Sequence, residues 1–206
     1  CIRDSAGIVF DFFDGFVARL LHSPSAIGVQ LDSLADVITS GLAPAAVLWQ
    51  VCLQTEPCWL PEAWKLGYGV FVLAAFSALR LAKFNIDETQ TVEFCGLPTP
   101  AGSLLCASLG MLWQQGMLAL SSDGVLLIAV LTSLLLVSPI RMFALKFHGF
   151  GWRGNEVRYL FRLASIVLII ILRTYAIPVI IVLYIVVSAV RWLCMHSGNP
   201  DKAPKA

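Results

Sequence analysis

Apolar stretches about 20 residues long follow one another along almost the whole chain and restrict what it can fold into. A stretch of this length, folded as an α-helix, crosses the hydrocarbon core of a bilayer. Membrane β-barrel strands instead alternate in polarity over about 10 residues, and these stretches are continuously apolar. We therefore predict an all-α polytopic transmembrane bundle of about seven helices. Their approximate positions are residues 5–21, 29–54, 64–84, 98–120, 122–145, 157–173 and 175–195.

The composition agrees with a membrane protein and excludes several other classes. Only 13% of the residues are charged, against roughly 25% in soluble domains. The 14 basic residues balance 13 acidic ones, so we expect no nucleic-acid partner. The six cysteines show no CxxC spacing, which argues against a zinc or redox site. We predict one transmembrane domain over residues 1–196 and a short polar cytoplasmic tail at 197–206.

The basic residues indicate how the helices are oriented. If the turn at 22–28 faces the cytoplasm, all basic residues except Arg3, Lys65 and Arg173 lie on that side of the membrane. An excess of Lys and Arg marks cytoplasmic connections. The turn at 22–28 and the connections at 84–97 and 146–157 are therefore predicted to be cytoplasmic.

Four aspartates, Asp11, Asp14, Asp32 and Asp36, lie in the first two apolar stretches. Each costs about 2.5–3.5 kcal/mol at the centre of a membrane helix, so a functional reason is expected. At 100° per residue, each pair falls on one helical face, and a short turn would bring all four carboxylates together. Such a cluster would protonate unless a hard cation such as Mg²⁺, Mn²⁺ or Ca²⁺ held it. The spacing thus predicts a metal site, with two ions as a natural arrangement.

Small residues accompany the aspartates. Gly15 and Ala18 share the face of the first pair, and Gly28 lies one turn before Asp32. Small side chains leave a cleft in which a ligand can approach the helices. Arg19 ends the same face, and its guanidinium suits a phosphate or a neighbouring carboxylate.

This acidic segment resembles the signature of the CDP-alcohol phosphatidyltransferase family at every fixed position. The resemblance implies a membrane enzyme that transfers a phosphatidyl group from a CDP-linked lipid to an alcohol and releases CMP. It also implies a divalent cofactor, Mg²⁺ or Mn²⁺, as two ions. The string is Asp11-x2-Asp14-Gly15-x2-Ala18-Arg19-x8-Gly28-x3-Asp32-x3-Asp36.

The resemblance also implies roles for these residues. Asp11, Asp14 and Asp32 would be metal ligands, and Asp36 would complete the metal site and act as the catalytic base. The small residues and the arginine would bind the CDP-lipid; they are Gly15, Ala18, Arg19 and Gly28. Members of the family usually have a helix before the signature, so we expect that an N-terminal helix is missing from this chain.

Three further stretches resemble the phosphatidylserine synthase branch of this family. Two of them read R-L-A-K-F-N at 80–85 and F-C-G-L-P-T-P-A at 94–101, where the branch has R-L-A-R-F-N and F-x-G-L-P-x-P-A. The third, residues 146–162, resembles bacterial members of the branch. The branch implies L-serine as acceptor, with Arg80, Lys83 and Asn85 as candidates for binding serine or phosphate. Lys83 replaces the usual Arg, which keeps the charge but loses the bidentate fork. The alternative is that both cations only snorkel to the membrane surface.

The expected partners are CDP-diacylglycerol, L-serine and membrane lipid, in a homodimer. We expect the inner or plasma membrane of a prokaryote, with the active site on the cytoplasmic side. Within the family, glycerol 3-phosphate or inositol is the alternative acceptor. From another class, a cation transporter could use the acidic cluster, although no inverted repeat supports it. Ion flux without turnover of a CDP-lipid would favour that alternative.

Overall fold

The computed structural model describes residues 26–57, 67–86, 93–143 and 156–197. Each predicted helical stretch from 29–54 onward contains a helix, whereas the stretch at 5–21 lies outside the described residues. The helices are α1 (Ala26–Val37), α2 (Ala43–Gln54), α3 (Val72–Ile86), α4 (Thr99–Gln114), α5 (Ser122–Val137), α6 (Glu156–Leu172) and α7 (Ala176–Ser197). Shorter elements are a π-helix (Ile38–Leu42), two 3₁₀-helices (Gly67–Phe71, Arg173–Tyr175) and two strands, β1 (Glu93–Cys95) and β2 (Arg141–Phe143).

The internal contacts divide the chain into two units, Cys1–Asp36 and Val37–Ala206. Of the first unit, the structure describes only the part of α1 that ends at Asp36. The second unit contains the other described elements. A single domain over 1–196 with a polar tail stays a prediction, since residues 198–206 are outside the described part.

Among the described residues, three helical stretches are long and apolar enough to cross a membrane: Gln30–Gln54, Gly67–Ile86 and Tyr159–Cys194. The helix Ser122–Val137 is also apolar but shorter. Many of their large apolar side chains are exposed, which is costly in water and favourable in lipid. The prediction of an all-α membrane bundle is confirmed, and the count of seven helices stays a prediction.

The longest stretch is a helical hairpin. Arg173 has a φ of 47°, a left-handed conformation that interrupts the helix between α6 and α7. Phe161 and Tyr184 lie 12 residues before and 11 residues after it, and their ring centroids are 5.8 Å apart. Contact between residues at nearly equal distances from a turn requires that α6 and α7 run antiparallel.

Helix α4 ends earlier than the predicted boundary at residue 120. Gly116 has a φ of 69°, and its N–H donates to the Trp113 carbonyl at 2.9 Å. The N–H of Met117 donates to the Leu112 carbonyl at 3.0 Å. This pair of bonds is the Schellman motif, which ends a helix at a glycine. Gly116 therefore ends α4 at Gln114 although the apolar sequence continues.

Helix α5 also ends before its predicted boundary at residue 145, and strand β2 replaces its last predicted turns. Ser138 is extended, with φ −61° and ψ 149°, because the following Pro139 disfavours helical geometry in the residue before it. Strand β2 then pairs antiparallel with β1, with Cys95 opposite Arg141. This two-stranded ribbon was not expected from the apolar pattern.

The core of the second unit lies around α2, which packs against α4 and α5, while α3 packs against α5. Close helix contacts occur at glycines, because a Cβ at Gly41 would meet Ser77 and one at Gly110 would meet Val47. Small residues let helix backbones approach in this way in membranes. The largest fully buried side chains include Leu48, Leu73, Leu97, Leu112 and Leu136.

One end of the bundle, which we call the hydroxyl end, joins the end of α2 to the start of α5 through Thr55 and Ser122. The Ser122 Oγ donates to the carbonyls of Thr55 at 2.6 Å and Cys52 at 3.1 Å. It also lies 3.1 Å from the Thr55 Oγ1, and the Ser122 N–H donates to the Glu56 carbonyl at 3.3 Å. These bonds satisfy backbone groups that the two helix ends leave without helical partners.

Candidate active site

Helix α1 carries the second half of the acidic signature. Gly28, Asp32 and Asp36 follow one another at intervals of four residues, so they lie along one face. Asp32 is exposed and Asp36 is half-buried. Ile27, Leu31 and Leu34 form an exposed apolar stripe on the same helix; it lies about 130° around the axis from the acidic face at 100° per residue. If the apolar stripe contacts lipid, the carboxylates point away from lipid.

The first half of the signature lies outside the described residues: Asp11, Asp14, Gly15, Ala18 and Arg19. Within the described ranges, no group of three or more His, Cys, Asp or Glu side chains could hold a metal ion. Asp32 and Asp36 nevertheless fit a divalent cation as part of a ligand set, because both are carboxylates and the two residues lie one turn apart on α1. The convergence of all four aspartates stays a prediction.

Arg80 occupies the last turns of α3 and is buried, with 9% of its surface exposed. Its Nη1 donates to the Thr99 Oγ1 at 3.0 Å, and its guanidinium carbon lies 5.9 Å from the centre of the Phe84 ring. Tyr184 of α7 lies within electrostatic range of the same charge. Snorkelling does not describe Arg80, because a snorkelling side chain places its charge in water.

Arg80 and Lys83 line one small pocket at the end of the bundle opposite the hydroxyl end. We call this the ribbon end; it comprises the end of α3, the ribbon β1–β2, the start of α4 and the end of α5. The pocket is lined by Arg80, Lys83, Phe84, Cys95, Leu136, Val137 and Ser138. Lys83 is exposed, as a snorkelling lysine would be, and Asn85 is exposed and does not line this pocket. The structure thus brings two of the three predicted acceptor residues together.

The loop between β1 and α4 fixes the position of Thr99. Gly96 has a φ of 77°, and a Cβ there would clash with the Leu136 carbonyl, so the loop turns tightly against the end of α5. Its N–H donates to the Ile140 carbonyl at 3.0 Å, and the Leu97 N–H donates to the Leu135 carbonyl at 2.9 Å. The stretches at 80–85 and 94–101, which resemble the serine branch, therefore meet through the bond from Arg80 to Thr99.

Sequence reasoning missed Thr99 and Cys95 as parts of this site. Both occupy positions that the branch pattern F-x-G-L-P-x-P-A leaves open, so the pattern carried no signal for them. A charged residue at the end of an apolar helix could have suggested a nearby polar partner. It could not have shown that the partner comes from the start of α4.

Comparison with known proteins adds independent information. Residues 5–145 match the family model described as CDP-alcohol phosphatidyltransferase. A Bacillus subtilis protein named CDP-diacylglycerol–serine O-phosphatidyltransferase is 34% identical over 143 residues, which cover 69% of this chain and 73% of that relative.

Relatives with the same name occur in other bacteria. One from Mycobacterium tuberculosis is 34% identical over 98% of this chain and 73% of its own length. One from Helicobacter pylori is 30% identical over 91% of this chain and 77% of its own length. The family match includes the whole acidic signature and more than half of the residues. The chain therefore belongs to the CDP-alcohol phosphatidyltransferase family.

Proposed function

We propose that this protein transfers the phosphatidyl group of CDP-diacylglycerol to the hydroxyl of L-serine, giving phosphatidylserine and CMP. The observation that carries this proposal is the agreement between family membership and the names of the relatives, each a CDP-diacylglycerol–serine O-phosphatidyltransferase. Arg80, a buried cation at the ribbon end, supports the part of the proposal that concerns the serine acceptor.

In the proposed reaction, the serine hydroxyl oxygen forms a bond to the lipid-side phosphorus. The bond from that phosphorus to the oxygen of CMP breaks, and CMP leaves with the electron pair. Asp36 takes the proton of the hydroxyl, because a carboxylate on the acidic face of α1 can serve as a general base. The direct transfer needs no covalent intermediate on the enzyme.

The acidic signature would bind the diphosphate half of the substrate. Asp11, Asp14, Asp32 and Asp36 would hold divalent metal, which when bound neutralises charge on the diphosphate. The CDP-lipid would lie against Gly15, Ala18, Arg19 and Gly28, where small side chains leave room for it. The family uses divalent ions, and we propose two ions of Mg²⁺ or Mn²⁺ here.

Recognition of serine would take place at the ribbon end. The serine carboxylate calls for a cation, and Arg80 is a buried guanidinium that lines the pocket. A charge-assisted bond to a carboxylate is among the stronger hydrogen bonds in proteins. Lys83 lines the same pocket and adds positive charge, while Asn85 lies just beyond it on α3.

The protein is an integral membrane protein, and we propose that its active site faces the cytoplasm of a prokaryote. The distribution of Lys and Arg supports this orientation. We also propose that the protein acts as a homodimer, an expectation from the sequence reasoning that a molecular-mass measurement in detergent would check.

An acceptor panel tests the proposed function. Purified protein in mixed micelles receives CDP-diacylglycerol, Mn²⁺ or Mg²⁺, and one radiolabelled alcohol at a time: serine, glycerol 3-phosphate or inositol. We expect CMP release and labelled lipid with serine, and loss of both when EDTA removes the metal. A preference for glycerol 3-phosphate would overturn the serine assignment, and ion flux without CMP release would favour a transporter.

A further inference from the structure

Thr99 bonds directly to Arg80 beside the pocket. Its Oγ1 accepts the hydrogen bond from Arg80 Nη1 at 3.0 Å, and its surface is 2% exposed. Such a bond between two buried groups has little competition from water. Thr99 is therefore bonded to the buried cation that the proposed function assigns to the acceptor carboxylate.

One such bond is enough to orient a guanidinium. The group is planar and its five N–H donors form a fixed fork, so a bond at one nitrogen sets the direction of the others. The ring of Phe84, 5.9 Å from the guanidinium carbon, provides a second contact on the same side chain. Loss of the Thr99 bond would leave Arg80 with more rotamers, and ordering them on binding costs affinity.

The hydroxyl of Thr99 is itself held on a rigid backbone. The Leu97 N–H donates to the end of α5, and Pro98 accepts from the N–H groups of Ala101 and Gly102 at 2.9 and 3.1 Å. Proline on either side of Thr99 restricts φ at both neighbours. The acceptor for Arg80 thus belongs to a fixed helix start.

We infer that Thr99 is a positioning residue for acceptor recognition: its hydroxyl orients the Arg80 guanidinium toward the pocket in which the carboxylate of an amino-acid acceptor binds. This inference rests on the proposed function. Thr99 acts through Arg80 and contacts no substrate. Its effect should therefore appear in the affinity for serine and depend on Arg80 being present.

The test compares Thr99→Val with Thr99→Ser in the purified protein. Valine keeps the shape and removes the hydroxyl, whereas serine keeps the hydroxyl and removes a methyl group. We expect Thr99→Val to raise the KM for serine about tenfold, the loss typical for a bond to a charged group. Thr99→Ser should stay within about threefold of the parent protein. The KM for CDP-diacylglycerol should change less than about twofold in both variants, because other residues bind that substrate.

A double-mutant cycle separates positioning from packing. If Thr99 acts through Arg80, adding Thr99→Val to Arg80→Met should not raise the KM for serine further. Equal effects of valine and serine at position 99, or an unchanged KM with valine, would overturn the inference. If Arg80→Met itself leaves the KM for serine unchanged, the proposed acceptor role of Arg80 fails as well. Should the valine variant not fold, Thr99→Cys, with a weak acceptor sulfur, is expected to give the same rise.

Discussion

The two ends of α5 bury polar groups in different ways. At the hydroxyl end, Ser122 and Thr55 are neutral and bond to each other and to the carbonyls of a helix end. At the ribbon end, Arg80 buries a full positive charge, and its guanidinium contacts the Thr99 hydroxyl and the Phe84 ring. The 16 residues of α5 separate these ends by about 24 Å.

This difference separates a structural network from a binding site. Neutral hydroxyls that satisfy helix ends need no further partner, and their net effect is on stability. A buried guanidinium is expensive to desolvate, and ionisable groups inside membrane proteins usually mark functional sites. The comparison predicts that substitutions at the hydroxyl end change stability, while those at the ribbon end change serine kinetics.

The largest effect on activity is expected at Asp36, which belongs to neither the hydroxyl end nor the ribbon end. Asp36→Asn keeps the shape of the side chain but cannot accept the proton, so kcat should fall by about a hundredfold or more. Binding of CDP-diacylglycerol should remain measurable by equilibrium dialysis. Asp123→Asn, the same change in the first turn of α5 at the hydroxyl end, is the matched control and should keep its turnover. Near-normal turnover in Asp36→Asn would remove Asp36 from the role of base.

Arg80→Met should give the next largest effect and tests the ribbon end directly. Methionine fills the space without a charge, so kcat/KM for serine should fall about ten- to a hundredfold. The KM for CDP-diacylglycerol, from initial rates at saturating serine, should change much less. Arg173→Gln removes a positive charge from the link between α6 and α7 and should leave both constants near their parent values. If Arg80→Met instead raises only the KM for CDP-diacylglycerol, Arg80 binds the diphosphate and not serine.

Ser122→Ala should show the opposite behaviour at the hydroxyl end. It leaves buried carbonyls without their donor, which costs about 1–3 kcal/mol of the free energy of unfolding. A thermal melt in detergent should shift down by several degrees, with the KM for serine unchanged. Ser103→Ala, which removes an exposed local bond to the Pro100 carbonyl, is the control and should melt like the parent protein. A changed KM for serine in Ser122→Ala would break the distinction between the ends.

Lys83→Gln should have the smallest effect of the set. Lys83 lines the pocket but is exposed, and exposed charge pairs contribute only about 0.2–1 kcal/mol. The kcat/KM for serine should therefore fall by no more than about fivefold, and the loss should shrink at high salt. Lys83→Arg should retain the parent value. A loss as large as that of Arg80→Met would show that the exposed fraction of these two side chains does not predict how much each contributes to serine binding.

The sequence predicted the helices well because continuous apolar stretches of membrane length have few alternatives. It failed where a local feature overrides polarity: Gly116 ends α4, and Pro139 forces Ser138 out of the helix before the ribbon. In the site, the charge of Arg80 and its resemblance to the serine branch were visible in the sequence. Its burial and its bond to Thr99 depend on how α3 packs beside α4, which no local pattern encodes.

The ribbon has a consequence for the order in which the chain folds. Strands β1 and β2 flank the helical hairpin formed by α4 and α5. The ribbon closes one end of this hairpin, and the turn after Gly116 closes the other end. The ribbon pairs residues up to 50 positions apart, Glu93 with Phe143, whereas the bond from Arg80 to Thr99 spans 19 positions. The entropy lost on closing a loop rises with its length, so contacts between distant residues form later than contacts between near ones. Thr99 lies inside the loop that the ribbon closes, whereas Arg80 lies outside it. We therefore expect the arginine and the hydroxyl of the site to meet before the ribbon closes the hairpin.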